Sequence, residues 1–324
     1  MFMKLMKKRS FLKTLGIALT LPAGGAFAQT GGRPIKLIVP LPAGSSNDYV
    51  ARMVAPSAGE FLGQSIIVDN KAGANGAIAT MEVVRAAPDG LTLMCASLSP
   101  LAVNVATVKN MTYDPLRDLT PIAAVSLTNH VLMVSASSPI HTMADFIAYA
   151  KKRPGKVSIG YSTTTVQVQI STMNKLGGID LLAVPYKGSP ATITDVIGGV
   201  LDATLTDPGN ALSQVKGGKL RAIAVSSLKR NPLTPDWPAI SETLPGFDFP
   251  SWNAIVGPAG MSRDLVNRIS NAVIRALKQK DVVEKYAAAG TIPLIMGPDE
   301  LKAYMASEVA KWVRLAKEAG IQPE

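Results

Sequence analysis

The chain has 324 residues, 47% of them hydrophobic, with a formal net charge of +10, one cysteine and two histidines. A single cysteine excludes an intramolecular disulfide and a cysteine-rich metal site, and two histidines leave little imidazole for catalysis or metal binding. Half of the basic excess belongs to a leader: removing residues 1–28 takes away five basic and no acidic residues, leaving 28 Lys/Arg against 23 Asp/Glu, a net of +5.

That leader reads as an export signal. Lys4, Lys7, Lys8, Arg9 and Lys13 precede a short apolar stretch, Leu15 to Leu21, and Ala26-Phe27-Ala28 is a small-x-small cleavage site. The stretch is shorter than the roughly 20 residues a membrane helix needs, so a secreted, periplasmic protein cut near Ala28 is expected. No run of five Lys/Arg follows, so nucleic-acid binding is unsupported. A mild positive field still favours anions.

Strand-like and helix-like segments alternate along the rest, the pattern of parallel sheets with crossover helices. Strands are expected at Ile35 to Val39, Ser65 to Asp69, Thr92 to Ala96, Ile122 to Val125, Val131 to Val134, Ser158 to Tyr161, Leu181 to Val184, Ala203 to Leu205, Ala222 to Ser226 and Ala254 to Val256. Most are apolar without alternation, as strands covered on both faces are; Cys95 lies in one such run and is read as packing. Near the C-terminus, Leu265, Ile269, Ala272, Ala276 and Leu277, then Leu301, Met305, Val309, Trp312 and Ala316, keep helical faces apolar. Extended crossings near Asn129 to Ser135 and Pro250 to Pro258 divide the chain into lobe 1 (residues 29–130 and 251–324) and lobe 2 (residues 131–250).

Candidate binding residues sit where strands give way to helices. Pro42, Ala43, Gly44, Ser45 and Asp48 follow the first strand, and the helix they open offers N–H groups with no intrahelical partner; Asp48 either caps that helix or orients a ligand. Ser162, Thr163, Thr164 and Thr165 occupy the equivalent place in lobe 2, with hydroxyls that suit a carboxylate or, alternatively, a helix cap. Lys187 and Gly188 end a third strand, Asp207 a fourth, and Ser97 stands after the third strand of lobe 1. Lys187 attracts an anion or is simply solvated; Asp207 supplies a polar wall or a turn.

Motifs for enzymes and cofactors are missing: no Gly-x-Ser-x-Gly, no Gly-Lys-Ser/Thr phosphate loop, no Gly-x-Gly-x-x-Gly and no paired histidines. A serine hydrolase using Ser45 or Ser162 lacks a base, because nothing in the sequence brings His130 or His141 to a serine.

Pro34-Ile35-Lys36-Leu37-Ile38-Val39-Pro40, Asp48-Tyr49-Val50-Ala51-Arg52, Asp69-Asn70-Lys71-Ala72-Gly73-Ala74-Asn75-Gly76, Pro88-Asp89-Gly90-Leu91-Thr92-Leu93, Tyr113-Asp114-Pro115, Val184-Pro185-Tyr186-Lys187-Gly188 and Lys219-Leu220-Arg221-Ala222-Ile223-Ala224-Val225 occur in this order. With them the chain resembles the Bug family, extracytoplasmic binding subunits of tripartite tricarboxylate transporters. The resemblance implies a type II periplasmic-binding-protein fold, two Rossmann-like lobes joined by two crossover strands. It implies a monomer without cofactor that holds a small organic carboxylate for a membrane permease; a ligand-loaded co-sensor for a membrane signalling protein is the alternative. Ala43-Gly44-Ser45 and Thr163 to Thr165 depart from the glycine-rich loops usual in the family, and Gln169 stands where a histidine is common.

Overall fold

The computed structural model describes residues 32–323; the expected export signal lies outside them. The elements run β1 (Ile35–Val39), α1 (Ser46–Leu62), β2 (Ile66–Asn70), α2 (Ala77–Val84), β3 (Thr92–Ser97), α3 (Asn104–Thr107), β4 (Leu119–Thr128), β5 (Val131–Ser135), α4 (Met143–Lys151), β6 (Val157–Tyr161), α5 (Thr164–Gly177), β7 (Leu181–Pro185), α6 (Ser189–Ile197), β8 (Ala203–Thr206), α7 (Pro208–Lys216), β9 (Leu220–Val225), β10 (Ser251–Pro258), α8 (Arg263–Leu277), α9 (Lys280–Ala288) and α10 (Pro298–Glu318).

The strands form two five-stranded sheets built on one plan, β2-β1-β3-β10-β4 and β7-β6-β8-β5-β9. Three strands in each pair in parallel, as the alternation of strand and helix predicts. The parallel pattern is interrupted at β10 and β5, the strands of the two crossings, each antiparallel to both its neighbours. The reason is connectivity: each inserted strand arrives from the other sheet and enters from the opposite end. Val131, first in β5, faces Thr206 and Val225, the last residues of β8 and β9, while Ser251, first in β10, faces Thr128, the last of β4. Both crossings therefore lie at the carboxyl edges of both sheets, where the loops after β1, β3, β6 and β8 also emerge. This is the two-lobed type II architecture.

Neighbouring residues of one strand serve different cores. Leu37 packs with Val54, Ile269 and Val273 under α1 and α8, while Ile38 belongs with Met94, Leu101 and Trp312 on the other face. Two-sided cover explains the unbroken apolar runs, and each fully buried Leu, Ile or Val contributes roughly 1.5–3 kcal/mol. Cys95 is buried in the first of these cores, and burial pushes its thiol pKa up to about 12. The second core continues across both sheets, joining Leu98 and Leu101 to Val166 and Ile170. Beside it Phe247, Phe249 and Trp312 pack as tilted rings with centroids 4.7 and 5.6 Å apart. Trp252 and Trp312 are both fully buried, and both donate their indole N–H to Glu308, at 3.0 and 3.2 Å.

Candidate functional site

Strand-to-helix loops of both sheets and the two crossings line a cavity of about 40 Å³. Its polar wall consists of Ser45, Ser46 and Asn47 at the start of α1, Ser97 at the end of β3 and Ser99 beyond it, Thr128, His130, Ser251 and Asn253 at the crossings, and Ser162, Thr163, Thr165, Gly188, Ser189 and Asp207 from the second sheet. Leu41, Val166 and Leu205 complete it, and no lysine or arginine lines it. Such a site, at the carboxyl ends of strands in open α/β sheets, is where this architecture places ligands.

In the first expected loop, Ser45 is the N-cap of α1 but its side chain caps nothing. The hydroxyl is buried without a partner, and the first N–H groups of α1 have no acceptor within the helix. The loop is braced from behind. Asp48 accepts from the Gly44 N–H at 2.9 Å and from Arg52 Nε at 2.8 Å, so its carboxylate holds the turn and does not line the cavity. Gly44 takes a left-handed φ of 79°, a conformation glycine adopts without strain, and its carbonyl accepts from Asn210 of α7 at 3.1 Å. Pro42 meets Gly188 across the two sheets so closely that a Cβ at Gly188 would lie 2.9 Å from Pro42 Cγ. Ala43 is exposed outside the cavity.

The threonine run in the second loop is engaged by protein. Thr163 caps α5 by accepting from the Val166 N–H at 3.3 Å. Thr164 donates to Asn104 Oδ1 at 2.8 Å, and the Thr165 and Ser99 hydroxyls bond each other at 2.8 Å. Ser99 opens a π-helical turn, Ser99–Val103, a widened geometry often found at functional sites. Ser162, Ser97, Gly188 and Asp207 line the cavity, whereas Thr164 does not. Lys187 is exposed in an outer depression with Pro40, Tyr186 and the residues 72–76, which adjoins the cavity through Leu41 and Ser162.

Several cavity residues escape a reading of the sequence. Asn47 Nδ2 donates to Asn253 Oδ1 at 2.7 Å and to the Cys95 carbonyl at 3.3 Å, and Asn253 Nδ2 donates to Ser126 Oγ at 2.7 Å. This buried amide chain pins α1 to β3, β10 and β4. An asparagine inside the apolar run of β10 was the available signal, since a buried amide needs partners. His130, between β4 and β5, receives the Gln169 amide on Nδ1 at 3.0 Å, which places the ring proton of the neutral form on Nε2. Burial holds its pKa down at about 4.

The fold thus brings His130 into a serine-lined cavity, a placement without a local signal in the chain. Among the described residues no serine hydroxyl is hydrogen-bonded to its ring. Asp207 caps α7, accepting from the Asn210 N–H at 3.1 Å, and burial raises its carboxyl pKa. No cluster of His, Cys, Asp or Glu suited to a metal occurs among the described residues.

A family model described as Tripartite tricarboxylate transporter family receptor matches residues 50–321. Protein BugT of Bordetella pertussis is 33% identical, over 96% of this chain and 95% of its own length. An R. palustris protein solved with adipate superposes with a TM-score of 0.87 at 30% identity, covering 91% of this chain and 99% of that one. MatC from Rhodopseudomonas palustris with bound malate gives 0.82 at 27% identity, covering 87% and 98%.

Proposed function

The chain belongs to the tripartite tricarboxylate transporter receptor family, and from that premise we propose that it captures a small organic carboxylate between its lobes and delivers it to a membrane permease. The lobes in this reading are residues 29–130 with 251–324, and residues 131–250. The working form is a monomer in the periplasm, released after cleavage near Ala28. The structural neighbours solved with adipate and malate support the ligand class.

One observation carries the reading: the start of α1 presents unaccepted N–H groups and the unpaired Ser45 hydroxyl to a cavity without cations. Donors fixed by the backbone, together with the positive end of the helix dipole, hold an anion without a charged clamp. Closure follows from the division of the wall: each lobe supplies part of it, so a guest that touches both favours the closed state.

Calorimetry and thermal-shift measurements on the mature protein against mono- and dicarboxylates, adipate and malate included, test the proposal. A bound acid present at 100 times its Kd stabilises the protein by about 2.7 kcal/mol. Stabilisation by neutral or cationic solutes alone, with every acid inert, overturns it.

A further inference from the structure

An anion-holding cavity with an acid in its wall requires an explanation. Asp207 is 5% exposed and lines the cavity. Its carboxylate accepts from the Asn210 N–H at 3.1 Å and from Asn210 Nδ2 at 2.8 Å, both donors belonging to the helix that Asp207 caps. No lysine or arginine lines the cavity to balance it. His130 is the other titratable side chain in the wall, and Gln169 holds it as a neutral ring. A guest carboxylate in this cavity therefore shares it with a second carboxyl group and no lysine or arginine.

Asp207 is tied to the loop that opens α1. Asn210 Nδ2, bonded to Asp207, also donates to the Gly44 carbonyl at 3.1 Å. One amide group thus links Asp207 to the loop that opens α1, where the guest carboxylate docks in the reading above. The Ser45 hydroxyl, 2% exposed and unpaired, lies in the same loop.

We infer that Asp207 selects carboxylates that carry a hydrogen-bond donor, hydroxyl or ammonium, on the carbon next to the docked carboxylate. Such a donor fills the acceptor side of Asp207 and separates the two carboxyl groups. A parent acid with only hydrogen there leaves them facing each other, and a site built to accept a donor rejects the analogue lacking it. The inference rests on the carboxylate reading and narrows it to α-hydroxy and α-amino acids.

Titration calorimetry of the mature protein with succinate, malate and aspartate, and with adipate and 2-aminoadipate, tests it. In whichever series binds, the donor-bearing acid is expected to bind at least about tenfold tighter than its parent; malate against aspartate separates hydroxyl from ammonium. Asp207→Asn and Asp207→Ser both retain a side chain that caps a helix, and both are expected to compress the preference to under about threefold as the charged acceptor is lost. Equal affinities within a series, or a preference that survives in both folded variants, overturn the role of Asp207 alone. Failure of every acid to bind removes the carboxylate reading itself.

Discussion

β1 and β6 each stand second from the edge of their sheet, and each passes into a helix through a loop rich in hydroxyls that faces the cavity. At α1 the capping residue Ser45 bonds nothing, so the helix start keeps its donors. At α5 Thr163 caps the helix, Thr164 reaches Asn104, and Thr165 bonds Ser99 both through its hydroxyl and through its N–H. The same residue class in the same topological place thus serves two ends. The capping hydroxyl of one loop stays unpaired, while the hydroxyls of the other bond across to Asn104 and Ser99, and hydroxyl density alone does not distinguish them.

The largest expected effect comes from the amide chain behind the available loop. Asn47→Leu leaves Asn253 Oδ1 buried without its donor and should cost about 2–3 kcal/mol in urea unfolding. A cost as small as that of a surface change would show that the α1 start is not held rigid and would weaken the contrast.

His130 tests the cavity floor between the loops. Its folded pKa of about 4 lies below the usual 6.5 of a free imidazole, so the unfolded chain binds the proton more readily. Stability from this group is complete above pH 6.5 and is lost as pH falls toward 4. The ring is only half-buried, which softens the slope. Between pH 7 and 5 the wild type should lose about 1–2 kcal/mol more than His130→Gln, measured by chemical unfolding at both pH values.

Thr165→Val sharpens the comparison directly. Removing its hydroxyl bond to Ser99 should cost about 1 kcal/mol of stability. It should also weaken ligand affinity about fivefold as the closed form becomes less populated, with a larger radius of gyration in solution scattering. Ser45→Ala is the smallest in stability, within about 0.5 kcal/mol because the hydroxyl has no partner to lose, while calorimetry should show ligand affinity reduced several-fold. A marked stability loss instead would mean that Ser45 is engaged as the threonines are.

Strand positions were legible because two-sided burial writes them as apolar runs: β1 spans Ile35–Val39 as expected, and β8 extends its expected run by one residue. β4 was legible only at its centre, Ile122 to Val125. Its full span, Leu119–Thr128, includes Thr120, Ser126 and Thr128, polar residues whose places come from pairing with β10. The helix-start loops were legible from turn chemistry, but the division of labour between them was not. It depends on what Asn104 and Ser99 present from elsewhere, as the Asn47–Asn253 bond depends on residues 206 positions apart. Lys187 drew attention through its charge, yet the fold leaves it in the outer depression.

Glu308 gathers the indoles of Trp252 and Trp312, which bolts the incoming end of β10 to α10. A swing between the halves then has to bend the chain just before that bolt, around Phe249 to Ser251, and at the other crossing beside His130. Thr128, His130 and Ser251, at those two crossings, also line the cavity, so the chain would bend where the wall itself is built.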